Sequence, residues 1–374
     1  MRFFANDTAV LDSKNKKIRN IIVAAGCLFV AVILALNIFL GFGRVSRPVI
    51  YYNDEKTMIY DINGESSVLD SYSSFANGFI DLSKTGGGEF KAHFDSKTYY
   101  KAEKHDDRFS ISYFNGKKWL FVSEGITAMR FAQNGKDALI FEPDTKGTYT
   151  LYFVSGGKLK KMFEGCSDAA AVGRKSSEYL VYEQVNNSKS VTMFSNFKDK
   201  PFELGVSQMD ADTAALSADG RKLMLVSGDE RKLYVFNMNV SGGNTADGIE
   251  VGKSVIKASF TGLKNDFAFL DSSGDFYYSS SGYTFKEDED VKKFEAGYDV
   301  MTVYYLKNNG DYYSFYVGDE KKLSGDVKDF YYAGSDNSAV IMEFNKYLKK
   351  GKLCVISRKN ITETDNEIEA FYRY

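Results

Sequence analysis

Glycine returns to one kind of place in this chain at intervals of roughly forty residues, and that spacing limits the fold more than any other feature. Gly135, Gly173, Gly220, Gly262, Gly297 and Gly334 each stand a few positions ahead of an apolar run, with 35 to 47 positions between successive glycines. The runs themselves, such as "ALIF", "YLVY", "KLMLV", "DFAFL", "TVYYL" and "AVIMEF", are short and rich in β-branched and aromatic residues. Runs of this kind between clusters of Gly, Asn, Asp and Ser are strands. After Phe42 no segment carries a long 3.6-residue apolar period. The 26 Tyr and 30 Phe agree with strands, since flat rings pack well on a pleated surface.

A second similarity fixes the unit. "LDSSGDFYYSSSG" from Leu270 aligns with "LKNNGDYYSFYVG" from Leu306, 36 positions later. In both, a Gly-Asp turn joins two strands, because Gly supplies the positive φ that a tight hairpin needs. A unit near forty residues with about four short strands is the sequence sign of a β-propeller blade. One such sheet cannot cover its own faces, so blades stack around an axis and the closed ring leaves only short edges. The expected fold is therefore all-β, a seven- or eight-bladed β-propeller over residues 49–374. The C-terminal "EIEAFYRY" reads as a lone strand, and "VIYYNDEKTMIYDING" from Val49 reads as a blade lacking its first strand. Pairing them would complete one blade from both ends of the chain. Ser71–Thr85 and the overlapping "KTGGG" from Lys84 fit the repeat least well.

"SADGRKLMLVSGDERKLYVF", from Ser217, resembles the blade motif of TolB-like propellers, in which a Ser-x-Asp-Gly turn precedes a strand and then a Leu-Tyr strand. The resemblance is good in this blade and degraded in the others. It implies a propeller and a general habit of binding peptides or proteins, and it carries no catalytic residue. Read from the residues alone, Asp219 is an Asx turn that orders the hairpin.

Ahead of the repeats lies "IIVAAGCLFVAVILALNIFLGF", Ile21 to Phe42, whose only strongly polar residue is Asn37. As a helix it would reach roughly 33 Å, enough to cross a hydrocarbon core of about 30 Å. Its "AAGC" is similar to a lipoprotein cleavage box, but only Ile21–Gly26 precede Cys27, too short for the apolar region of a secretory signal. An uncleaved signal-anchor is expected. Arg2, Lys14, Lys16, Lys17 and Arg19 precede the run and only Arg44 and Arg47 follow closely, so the N-terminus should stay cytoplasmic. The expected layout is a cytoplasmic tail over 1–20, a transmembrane α-helix over 21–42, a linker over 43–48 and an extracytoplasmic propeller over 49–374.

Composition narrows the partners. A formal net charge of −2 offers no basic stripe to displace counterions from phosphate, which argues against nucleic acid. Outside the apolar run remain Cys166 and Cys354, read as free buried thiols in strand contexts.

Catalytic patterns are weak. "GCSDA" at Gly165–Ala169 vaguely resembles a nucleophile elbow, but that chemistry needs a histidine later in the chain, and His93 and His105 both precede Ser167. Two histidines without a Cys-x-x-Cys do not make a zinc set. The acidic groups "HDDR" (His105–Arg108), "DAD" (Asp210–Asp212) and "KEDED" (Lys286–Asp290) lack the loop pattern of a calcium site and read as solvated charges. Trp119 is the only tryptophan, against the repeated tryptophans of a quinone-cofactor propeller. "KTGGGEF" lacks the Lys-Ser/Thr of a phosphate loop, and no helix is expected there. The pairs Tyr99–Tyr100, Tyr277–Tyr278, Tyr304–Tyr305, Tyr312–Tyr313 and Tyr331–Tyr332 read as packing between blades rather than as a binding platform.

No catalytic, cofactor-binding or metal-ligating residue is therefore assigned, and no cofactor is expected. The reading is a non-enzymatic binding or scaffolding protein held at the cell membrane of a bacterium, engaging an envelope protein, a peptide or a wall glycan. The alternative is a glycan-active enzyme with carboxylates brought together at the propeller mouth, which would place two of them about 5–10 Å apart. A sensor relaying inward has only residues 1–20 on the far side to act with.

Overall fold

The computed structural model describes residues 47–372 apart from 55, 70–73, 76–78, 92–96, 133–135, 173–178, 186–187, 195–201, 239–244, 247, 263–264, 297–301, 335–336, 344–349 and 358–359. Among the described residues there are eight sheets, almost entirely antiparallel and consecutive along the chain. We number them in chain order. Sheet 1 holds the strands of 49–68 with Ala370–Phe371, sheet 2 those of 88–126 with Ser74–Phe75, and sheet 3 those of 128–166 with Phe79–Asp81. Sheet 4 spans 168–204 with Thr245–Ala246, sheet 5 spans 210–252, sheet 6 spans 255–288, sheet 7 spans 291–324 and sheet 8 spans 327–368.

Each sheet meanders up and down through four strands, and the first strands of successive sheets from sheet 3 around to sheet 1 stand beside one another. That is the inner lining of a propeller. The closing strand is Ala370–Phe371, which pairs antiparallel with Val49–Asn53, Tyr51 opposite Phe371. It is shorter than "EIEAFYRY" suggests, because Glu367 and Ile368 still belong to the last strand of sheet 8.

The tyrosine pairs show why the sheets stack. Adjacent residues of a strand point to opposite faces, so a strand buried on both faces needs apolar neighbours in sequence. Tyr304 packs with Tyr332 and Phe330 between sheets 7 and 8, while Tyr305 packs with Phe276 and Phe315 between sheets 6 and 7. Seven such clusters lie between consecutive sheets, from the 2–3 junction around to the 8–1 junction. Burial at roughly 25 cal/mol per Å² of apolar surface makes these junctions the main stabilising contacts. Cys166 and Cys354 sit in two of them as free, buried thiols.

The up-and-down order gives the ring two distinct faces. Turns between second and third strands, and the links from one sheet to the next, share what we term the linker face. Backbone bonds join them: Ser272 N–H donates to Ser254 O at 2.9 Å, and Val291 N–H to Gly274 O at 2.9 Å. Thirty-six positions on, Asn308 N–H donates to Asp290 O at 3.0 Å and Val327 N–H to Gly310 O at 2.9 Å. Gly274 takes φ +87°, and a Cβ there would lie 3.3 Å from Val291 O, so only glycine lets the turn clamp onto the link. The opposite face carries the turns between first and second strands and between third and fourth. Arg47 N–H donates to Ala333 O at 2.8 Å on that side, so the described chain starts there, and we call it the entry face.

"KTGGG" departs from expectation. A one-turn helix, Leu82–Thr85, precedes the glycines, capped by the Asp81 side chain and ended by Gly86 at φ +73°. Gly87 follows at φ +92°, where a Cβ would lie 2.6 Å from Ala102 O. The glycines thus end a helix and let the chain pass close to sheet 2. A phosphate loop needs the reverse order, glycines first and helix after.

Among the described residues no helix is long and apolar enough to cross a membrane. The apolar run Ile21–Phe42 lies outside the described residues.

Candidate functional site

The first strands carry charged side chains at the centre of the ring, most of them near the ends that open on the linker face. In sheet 3 the short strand Ala128–Phe131 buries Ala128, Met129 and Phe131, yet places Arg130 among them, also buried. A buried guanidinium requires partners. It finds them on the next two first strands: Nη2 lies 3.4 Å from Asp168 Oδ1, and Nη1 donates to Asp212 Oδ1. The Phe79 ring lies 5.3 Å from its Cζ, a cation–π contact, and Nε has no hydrogen-bond partner among the described residues. Burial lifts the Asp168 carboxyl above the usual carboxylate range and Asp212 adds to the lift, against the pull of Arg130 and the Ala169 N–H.

The opposite half of the ring repeats a different arrangement. Lys257, Lys293 and Asp329 hold the same place, third in the first strands of sheets 6, 7 and 8, just past a register shift. Lys257 lies 3.5 Å from Glu295 of the next sheet and over the Phe294 ring, while Lys293 lies 3.1 Å from Asp329 and over the Phe330 ring. One position earlier, exposed Lys292 and Lys328 each reach a backbone carbonyl of the following sheet, at Lys328 and Glu369 respectively. The repeat of 36 positions has become a circular rung of charges.

Two sectors result. The first strands of sheets 4 and 5 carry Asp168, Asp210 and Asp212 and no basic residue. Those of sheets 6 to 8 carry Lys257, Lys292, Lys293 and Lys328 against Glu295 and Asp329. Packed strands hold each charge in place, so little reorganisation is needed when a ligand with complementary charge arrives.

The sequence-level candidates fall as follows. Asp210 of "DAD" holds Arg231 Nη2 at 3.0 Å, and Asp212 holds Arg130, so both are structural partners as well as mouth residues. In "KEDED", Asp288 accepts from Tyr305 Oη at 2.9 Å and from Lys307 Nζ at 2.7 Å, and Asp290 accepts from Asn308 Nδ2 at 2.7 Å. These carboxylates join sheet 6 to sheet 7, a tighter use than solvated loop charge. "HDDR" forms the hairpin after Tyr99–His105, with the His105 ring 3.1 Å from Ser110 Oγ; His93 lies outside the described residues. Ser167 lies in the link between sheets 3 and 4, its N–H donating to Tyr182 O. Asp219 forms the Asx turn: its Oδ1 accepts from the Arg221 N–H at 3.0 Å and from Ser217 Oγ at 2.8 Å. Sequence reasoning missed Arg130. Its signal was an arginine inside the apolar "TAMRFA", where only burial with carboxylates makes sense.

The chain matches no family model and no curated protein. Among solved structures it is similar to a eukaryotic initiation factor, at 9% identity and TM-score 0.49, covering 87% of this chain and 97% of that one. It is also similar to the β-propeller domain of the Trilobed protease from Pyrococcus furiosus, at 14% identity and TM-score 0.43, covering 79% and 100%. The C-terminal WD40 domain of Sif2 shows 10% identity and TM-score 0.40 over 72% and 82%. At such identities the likeness is one of fold, and the propeller assignment here rests on the strand pairing itself.

Proposed function

We propose that this chain is a membrane-anchored, extracytoplasmic binding or scaffolding protein of the bacterial cell envelope. In this reading the eight sheets are eight TolB-like blades, and the linker face presents the divided charge of the axis to a protein, peptide or wall glycan. The carrying observation is the pair of sectors, carboxylates on sheets 4 and 5 and lysines on sheets 6 to 8, fixed on strands rather than on loops. Rigid walls with opposite charge on two sides favour an extended ligand bearing both signs. The placement outside the cell membrane is supported by the apolar run Ile21–Phe42 and the basic residues ahead of it.

The enzymatic alternative has one observation in its favour. Asp168 has its carboxyl lifted by burial and shares a guanidinium with Asp212, the kind of carboxylate pair that glycan chemistry uses. Against it, Arg130 ties both carboxylates into one ion-paired group, which suits holding a shape more than passing a proton.

The test is affinity capture with the full-length tagged chain from solubilised envelope, wild type beside Lys292→Glu/Lys328→Glu. A ligand held by the wild type and lost by the charge-reversed chain supports the reading. A saccharide that is held and then cut, with cutting abolished in Asp168→Asn, replaces it with the enzyme.

A further inference from the structure

Exposed apolar or aromatic residues stand at the entry-face turns of several sheets. In or beside the turn between third and fourth strands, sheet 6 exposes Tyr283 (70%), sheet 7 Val317 (49%), sheet 1 Ile62 (51%) and sheet 2 Trp119 (39%), and as second residue of the fourth strand sheet 8 exposes Ile361 (42%) and sheet 3 Leu159 (38%). Sheets 6, 7, 8, 1 and 2 run in this order, and the chain enters at Val49 on sheet 1, the fourth of the five.

One of these tips is held at a conformational cost. Val317 takes φ +45°, a region that a β-branched residue avoids, and it stands 36 positions after Ser281, the equivalent turn residue of sheet 6 at φ +53°. The fold does not need the valine, since it touches solvent and a polar residue serves in the same turn next door. Beside Trp119 the turn is basic, with Lys117 and Lys118 exposed and their backbone N–H groups held by Asn115 Oδ1 at 3.0 Å. Trp119 rests edge-on against Tyr99 at 5.0 Å, so its ring is rigid as well as exposed. Tyr and Trp with flanking Lys are the residues that settle at a lipid headgroup boundary.

We propose that the entry-face arc of sheets 6, 7, 8, 1 and 2 docks on the outer leaflet of the membrane in which the chain is anchored. This rests on the anchored reading above and deepens it. The length of the connecting chain supports that occupant. Between Phe42 and Val49 lie seven residue steps, at most about 25 Å when fully extended, so the entry face stays within reach of the lipid surface. Seated this way, the ring turns its charged linker face outward, toward envelope ligands.

Trp119 is the single tryptophan, so its fluorescence reports this contact without a label. The full-length chain is reconstituted into vesicles of phosphatidylethanolamine and phosphatidylglycerol, with nitroxide lipids labelled near the top or near the end of the acyl chain. Interfacial side chains sit about 5–10 Å into the headgroup boundary, so the shallow label should quench Trp119 about two-fold more than the deep one. Tyr283→Ser/Val317→Ser, two exposed changes, should reduce that quenching without lowering the thermal transition. Carbonate washing separates the two ways of failing. A chain that resists carbonate but whose Trp119 neither label quenches is anchored with its ring standing off, which overturns the docking alone. A Trp119 emission shifted to the blue without lipid quenching means a second copy covers the arc, which also overturns it. A chain released by carbonate overturns the anchor and the docking with it.

Discussion

Tyr51 and Phe371 lie opposite each other in one ladder, joining the two ends of the described chain in a single sheet. Both are buried, and both belong to the cluster between sheets 8 and 1. The last strand adds only two residues, so side-chain burial contributes more to closure than its hydrogen bonds do.

Phe371→Ala should therefore cost about 3 kcal/mol, the usual loss for an aromatic removed from a packed core. Urea unfolding of the full-length chain would read it as a lower midpoint with the slope kept. A change below about 0.5 kcal/mol would mean that the ring does not depend on this latch.

Arg130→Met removes the cation that Asp168 and Asp212 share. The expected loss is about 2–3 kcal/mol, below the figure for a fully buried pair because Asp168 is one-third exposed. Adding Asp168→Asn to the Arg130→Met chain should restore part of it, since the uncompensated charge is gone. A double-mutant cycle with no coupling would show that the two side chains do not interact in solution.

The pH dependence should separate two carboxylates by sign. Burial would lift Asp288, but bonds from Lys307, the Glu289 N–H and Tyr305 outweigh it and hold the carboxyl below its ordinary value. Its contribution is present above the unfolded value of 3.8 and is lost as pH falls through the lower folded value. Asp168, lifted above 3.8, contributes fully below that pH and loses its contribution as pH rises through the folded value. Asp288→Asn should therefore differ most from wild type near neutral pH and converge with it in acid. Asp168→Asn should show the opposite trend in a pH series of thermal melts.

Val317→Asn exchanges a strained valine for a residue that tolerates positive φ. A gain of about 1 kcal/mol in stability is expected, together with weaker lipid contact. A destabilised variant would show that the valine makes a packing contact instead.

Burial lifts the Cys166 thiol to about 12 and the Cys354 thiol to about 11. Neither should react with a thiol reagent at neutral pH until the ring unfolds, and labelling should rise together with the urea transition. Prompt labelling of either in the native state would mean that its sheet junction opens.

What could be read along the chain was whatever depends on near neighbours. Glycine at a tight turn, alternating buried residues and the 36-position echo of Leu270 in Leu306 are local consequences of φ/ψ sterics and strand pleat, so they mark strands and repeats. The same echo already sets Lys257, Lys293 and Asp329 on equivalent positions. The one-turn helix Leu82–Thr85 was beyond such reading, because four residues show no period and its end depends on Gly86 and Asp81. Tertiary structure alone decided that Arg130 meets Asp168 and Asp212, and that the alternate turns of several sheets share a face with the incoming chain. These groups lie tens of residues or more apart and meet only because stacked, twisted sheets bring their first strands to one axis and their alternate turns to one side. That geometry belongs to the stacked sheets together, and no stretch of forty residues contains it.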